Sequence, residues 1–121
     1  TDDAIPYWDY DAPVTEETPR DASAASVTAS ALIELSTMVP DGQKYLDYAE
    51  KILKSLSSDA YLAKVGDNQG FILMHSVGSL PNGSEIDTPL NYADYYYLEA
   101  LKRFMELKKL RVEHGELRMI Q

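Results

Sequence analysis

The sequence encodes three helices that are each apolar on one side only, so none is complete without a neighbour. The first is expected over 21–38. It opens at Asp21, placed after Pro19 to act as an N-cap, and is stopped by Pro40 and Gly42. Ala22, Ala25, Ala29, Leu32 and Ile33 fall on one face, and the run Ala22-Ser23-Ala24-Ala25-Ser26 is slim enough for a neighbouring helix to approach closely. The second, over 43–56, sets Leu46, Ala49, Ile52, Leu53 and Leu56 against Lys44, Asp47, Lys51 and Lys54, which lie mostly opposite. The short connection around Pro40 and Gly42 makes this pair an antiparallel αα-hairpin. The third, over 91–110, carries the stripe Tyr97, Ala100, Leu101, Phe104 and Leu107. The fold class is therefore all-α, and an odd helix count leaves one helix without a hairpin partner.

The remainder is irregular. Residues 1–18 contain Pro6, Pro13 and many acidic groups, which suits an extended loop, with Tyr7, Trp8 and Tyr10 expected to dock onto the core or to serve as sugar-stacking platforms. Between Ser57 and Asn91 no helical period persists, and a loop of that length in a compact domain points to binding or gating. Phe71 to Met74 suits a short strand. Tyr92, Tyr95 and Tyr96 crowd the start of the third helix, and Val112 to Gln121 either adds a strand or trails.

Composition narrows the function classes. A net charge of −9, from 20 acidic and 11 basic residues, leaves no basic surplus for phosphates and argues against nucleic acid. The charge is uneven, with Arg20 the one basic residue in 1–35. There is no cysteine, hence no disulfide framework and no redox clue to compartment. No apolar run is long enough to span a bilayer, and no signal peptide opens the chain.

Motifs for familiar chemistries are missing. The sequence has no G-x-G-x-x-G, P-loop, H-E-x-x-H or G-x-S-x-G pattern, and His75 and His114 alone do not make a metal site. Gly66-Asp67-Asn68-Gln69-Gly70 lacks the ligand alternation and closing glutamate of a calcium loop. Among the carboxylates, Asp21 is most simply an N-cap and a partner of Arg20, and Asp87 and Asp94 flank a positive helix end.

Three blocks in this order carry a resemblance: YWDYDAP at 7–13, PRDASAAS at 19–26 and HSVGSLPNGSEIDTPLNYADYYYLEAL at 75–101. Together they resemble the C-terminal part of unsaturated glucuronyl hydrolases, glycoside hydrolase family 88. The resemblance covers nearly all of residues 5–110. It implies an (α/α)6 barrel of six helical hairpins, with the first helix in the inner layer and the second in the outer one. It also implies hydrolysis without metal or organic cofactor, in a bacterial cytoplasm or periplasm. In that chemistry an aspartate protonates the C4 side of a 4,5-unsaturated uronic acid, water attacks C5, and the hemiketal collapses to an open-chain keto product.

The family's catalytic aspartates and its Arg-Gly-Gln-Ala-Trp block lie upstream of the region represented here, so no catalytic role is assigned to any residue of this chain. Some members carry an S-x-x-S-x-K pattern that helps bind a substrate sulfate in the loop before the last long helix. It falls here on Ser79, Asn82 and Ser84, of which only Ser79 matches. The missing lysine puts a preference for sulfated substrates in doubt. Candidate substrate-binding residues are Ser79, Asn82, Ser84, Tyr92, His75 and Trp8, with His75 favoured as a brace of the loop.

The expectation is that residues 1–121, beginning at Thr1 rather than Met, form the last quarter to third of one catalytic domain. The partners are then an unsaturated uronyl oligosaccharide and the rest of that domain, with neither nucleic acid nor membrane. Two alternatives stand beside it: an unsaturated rhamnogalacturonyl hydrolase on the same barrel, or a non-catalytic helical module binding carbohydrate or protein.

Overall fold

The structure, a computed structural model, describes residues 1–113 and 115. It consists of α1 (Ala22–Ser36), α2 (Gln43–Leu56) and α3 (Asn91–Glu113), with a single 3₁₀ turn at Asn68–Gly70. Asp21 caps α1 as its sequence position predicts, accepting from the Ser23 amide at 3.0 Å. The helix stops two residues short of the expected end. The hydroxyls of Ser36 and Thr37 bond back to the carbonyls of Ile33 and Glu34, at 2.6 and 2.7 Å, and the amides of Thr37 and Met38 turn to the carbonyls of Glu34 and Leu35, three residues back, which closes the helix in a tighter turn. At the other end of the fold, α3 runs past residue 110. Arg111 donates to Gln43 at 3.1 Å and Lys108 meets Glu50 at 3.6 Å, tying the last turns to α2. The expected tail from Val112 is thus helical to Glu113, and residues 116–121 lie outside the described residues.

α1 is the centre of the packing: it contacts both α2 and α3, which scarcely touch each other. Its buried positions are Ala22, Ser23, Ala25, Ser26, Ala29, Ser30, Ile33 and Ser36, so only Ile33 among them is large. Slim side chains let two helices close on it from either side. α2 supplies the bulk, burying Leu46, Ala49, Ile52, Leu53 and Leu56. α3 buries Ala93, Tyr97 and Ala100, while Leu101, Phe104 and Leu107 pack at the margin. A polar seam joins α1 to α3: the Ser30 hydroxyl donates to Glu99 at 2.6 Å, and Arg103 donates to the Ser30 carbonyl and to Glu34.

The expected strand at 71–74 does not form. Only an isolated antiparallel bridge joins Leu62 to Leu73. The amides of Ile72 and Leu73 donate instead to the two oxygens of Asp94, at 2.8 and 2.9 Å, so the first turn of α3 takes donors that a ladder would need.

The N-terminal arm is fastened through Asp3. Its carboxylate accepts from the Ile5 amide, from Arg20 at 2.7 Å and from the Tyr61 hydroxyl at 3.0 Å, and its carbonyl accepts from Ser55. Arg20 also donates to the Ile5 carbonyl and lies over the Tyr7 ring at 4.6 Å. It therefore pairs with Asp3 and not with Asp21, whose oxygens face Ser23 and the loop beyond. Partial burial would raise the Asp3 carboxyl, but the bonds from Ile5, Arg20 and Tyr61 outweigh it and hold the group below its ordinary value. Burial first, and then the Asp3 hydrogen bond and charge, push the Tyr61 phenol up to about 12.

Two outcomes follow from these contacts. At Gly42 a Cβ would lie 2.7 Å from the Ser36 carbonyl carbon and 2.9 Å from its Cα, both backbone atoms. Gly42→Ala is therefore expected to cost about 1–3 kcal/mol in denaturant unfolding. Tyr61 titrates near 10 when unfolded and about 12 when folded. Its contribution is complete below the unfolded value and is lost as pH rises through the folded one. Tyr61→Phe should flatten that alkaline decline in a stability–pH series.

Candidate functional site

Beyond the α2 end, the chain crosses the N-terminal end of α1 and then folds into a hairpin. The Ala22 amide donates to the His75 carbonyl at 2.9 Å, and the Val77 amide reaches Asp21 at 3.2 Å. Residues 76–88 then pair with themselves. Ser76 and Thr88 exchange both backbone bonds, as do Ser79 and Ser84, and the Gly78 amide donates to Glu85. The tip is the turn 80–83, closed by Gly83 N–H to Leu80 O at 2.9 Å. Pro81 pre-sets its second position and Gly83 takes the left-handed backbone there, φ +64°.

At the hairpin base His75 Nδ1 meets Asp87 Oδ1 at 2.5 Å. The imidazole also stands edge-on to Tyr61, with ring centroids 6.0 Å apart. This base forms one wall of a cleft of about 380 Å³. The facing wall is the arm from Glu16 to Arg20, and Leu80, Ile86 and Asp87 complete the hairpin side. The volume falls within the range of small-molecule sites, about 300–1,000 Å³. Its walls offer an apolar surface, hydrogen-bonding groups and charges of both signs. Among the described residues no three metal-ligating side chains converge, and no helix is long and apolar enough to cross a membrane.

The candidate residues distribute around this feature unequally. His75 lines the cleft and meets Asp87 at the hairpin base. Ser79, Asn82 and Ser84 sit on the hairpin, with Asn82 and Ser84 exposed near its tip. Tyr92, 41% exposed, stands on the first turn of α3 near Ser23, Asp21 and Glu85. Burial, followed by the charges of Glu85 and Asp21, lifts its phenol above the ordinary value. Trp8 lies on the arm, where its amide donates to Pro19 at 3.0 Å, but its side chain does not line the cleft. Of the aromatics expected to dock, Tyr7 is held under Arg20, whereas Tyr10 is 85% exposed because the proline-rich arm turns it away from the core. Asp87, Ile86 and the Glu16–Arg20 wall were not singled out as candidates. The signal for Asp87 is its position after a proline-glycine turn, across the loop from His75.

No protein-family model matches the chain. Individual relatives do. Over 105 residues, 87% of this chain and 26% of the relative, it is 50% identical to an unsaturated glucuronyl hydrolase of Formosa agariphila. Over 106 residues it is 32% identical to an unsaturated chondroitin disaccharide hydrolase of Streptococcus pyogenes, covering 84% and 26% respectively. A crystal structure of an unsaturated glucuronyl hydrolase described as specific for heparin superposes with a TM-score of 0.87 and 68% identity, over 90% of this chain and 29% of that one. The chain thus spans about a quarter of the length of the curated relatives it matches. In sequence and in fold it is a homologue of one segment of the unsaturated glucuronyl hydrolases of glycoside hydrolase family 88, its three helices forming part of an (α/α)6 barrel.

Proposed function

We propose that this chain is part of a hydrolase that removes the 4,5-unsaturated uronic acid from the non-reducing end of lyase-generated oligosaccharides. The observation that carries this reading is the 50% identity to the Formosa agariphila hydrolase across 87% of the chain. In that role the chain supplies barrel wall and a substrate-facing hairpin, while the acid that protonates the vinyl ether comes from another part of the protein. The exposed apolar side chains of Val27, Tyr48, Leu98 and Met105 then pack against the remaining helices. Ser79, Asn82, Ser84 and Tyr92 present hydroxyl and amide groups suited to sugar hydroxyls, and His75 braces the loop that carries the first three.

The reaction adds water across the C4=C5 bond. The proton goes to C4, the hydroxyl to C5, and the resulting hemiketal opens with release of the shortened oligosaccharide. The test uses the full-length protein with unsaturated disaccharides prepared from heparin and chondroitin. The expected result is loss of the ultraviolet absorbance of the double bond; persistence of that absorbance on every such disaccharide contradicts the proposal.

The hairpin tip from Ser79 to Ser84 bears no charge, so it lacks the cation that would pair with a sulfate there. Ser84→Lys is expected to lower KM for a sulfated disaccharide by about tenfold, as one charge-assisted hydrogen bond contributes about 1.5–3 kcal/mol, and to leave KM for the unsulfated one nearly unchanged. Equal effects on both substrates would place the sulfate elsewhere.

A further inference from the structure

We propose that the His75–Asp87 pair is a positioning latch that fixes the return strand of the 76–88 hairpin against the cleft and thereby governs substrate binding. This inference rests on the hydrolase reading above and adds to it a pair of residues that does not itself carry out the chemistry.

The two strands of the hairpin are anchored very differently. The outgoing strand is bolted to the N-terminal end of α1, through Ala22 N–H to His75 O and through Val77 N–H to Asp21. Residues 81–87 are all exposed, and among the described residues none of them hydrogen-bonds to a helix. They are held by backbone bonds to the outgoing strand and by the His75–Asp87 contact at the base.

The backbone there is not relaxed. His75, Glu85 and Asp87 all have positive φ, at +68°, +54° and +48°. L-residues resist this conformation, and a glutamate has little local compensation for it. Such a geometry persists only where something over-determines it. The 2.5 Å imidazole–carboxylate contact ties the two end residues together and keeps Glu85 and Ile86 between them in place. It does so at the cleft itself, because His75, Ile86 and Asp87 are all wall residues. Without the contact the return strand can relax toward ordinary backbone angles, moving Ile86 and Asp87 off the wall and shifting the tip that bears Asn82 and Ser84.

The test compares Asp87→Ala with Asp87→Asn in the full-length protein. Asparagine keeps both an oxygen acceptor for the imidazole N–H and a tolerance of positive φ, while alanine keeps neither. Asp87→Ala should raise KM about tenfold with kcat changed less than about twofold, the pattern of a lost positioning contact. Asp87→Asn should recover most of that loss. Hydrogen exchange of the amides of Gly78, Ser84 and Thr88 should accelerate in Asp87→Ala, and His75→Leu, which keeps no donor for the carboxylate, gives a second route to the same loosening if alanine prevents folding. Unchanged KM and unchanged exchange in a folded variant overturn the latch. A wild-type protein that turns over no unsaturated disaccharide overturns the hydrolase reading, and with it the positioning role, whereas an active wild type with an indifferent Asp87→Ala overturns the latch alone.

Discussion

Two carboxylates at helix starts give the long connection between α2 and α3 its shape. Asp94 accepts from the amides of Ile72 and Leu73, and Asp21 accepts from the amide of Val77 while capping its own helix. Leu73, Ser76 and Val77 are buried in a segment without a regular sheet ladder, and unpaired buried amides there would each cost about 1–3 kcal/mol. Asp21 Oδ1 serves both helix and loop, while both oxygens of Asp94 go to the loop. The segment from Ile72 to Val77, and with it the base of the hairpin, takes its position from these bonds.

The second constraint is the slenderness of α1. With alanine and serine along the contact faces, it can lie between α2 and α3 and bring the start of α3 alongside its own. Tyr92 on α3 thereby reaches the neighbourhood of Ser23, and the hairpin emerges at the end where both helices begin. A larger side chain at Ala25 or Ala29 would push these starts apart. In a barrel segment of this kind, the same small residues that permit close helix packing also determine how the loops at one rim are grouped.

The helices were legible because their signals are local: a capping aspartate, a 3.6-residue apolar period and a proline-glycine stop. The family resemblance was legible from three contiguous blocks of sequence. What escaped depends on pairs distant along the chain. Arg20 was assigned to its neighbour Asp21, yet its partner Asp3 is 17 residues away and is fixed by the course of the arm. Phe71 to Met74 has the composition of a strand, but propensity says nothing of Asp94 taking its amides. The His75–Asp87 contact depends on left-handed backbone at both residues, which side-chain pattern does not encode. Tyr10 resembled a docking aromatic only because sequence gives no direction to a side chain on an irregular arm.

The measurement that bears most directly on the account is a crystal structure of the full-length protein, with its acid disabled, holding an unsaturated disaccharide. The expected result is a closed barrel with α1 in the inner layer and α2 in the outer one, and with the sugar in contact with the 79–84 hairpin and the cleft at its base. A disaccharide bound wholly away from residues 75–92, with the hairpin facing bulk solvent, would contradict it.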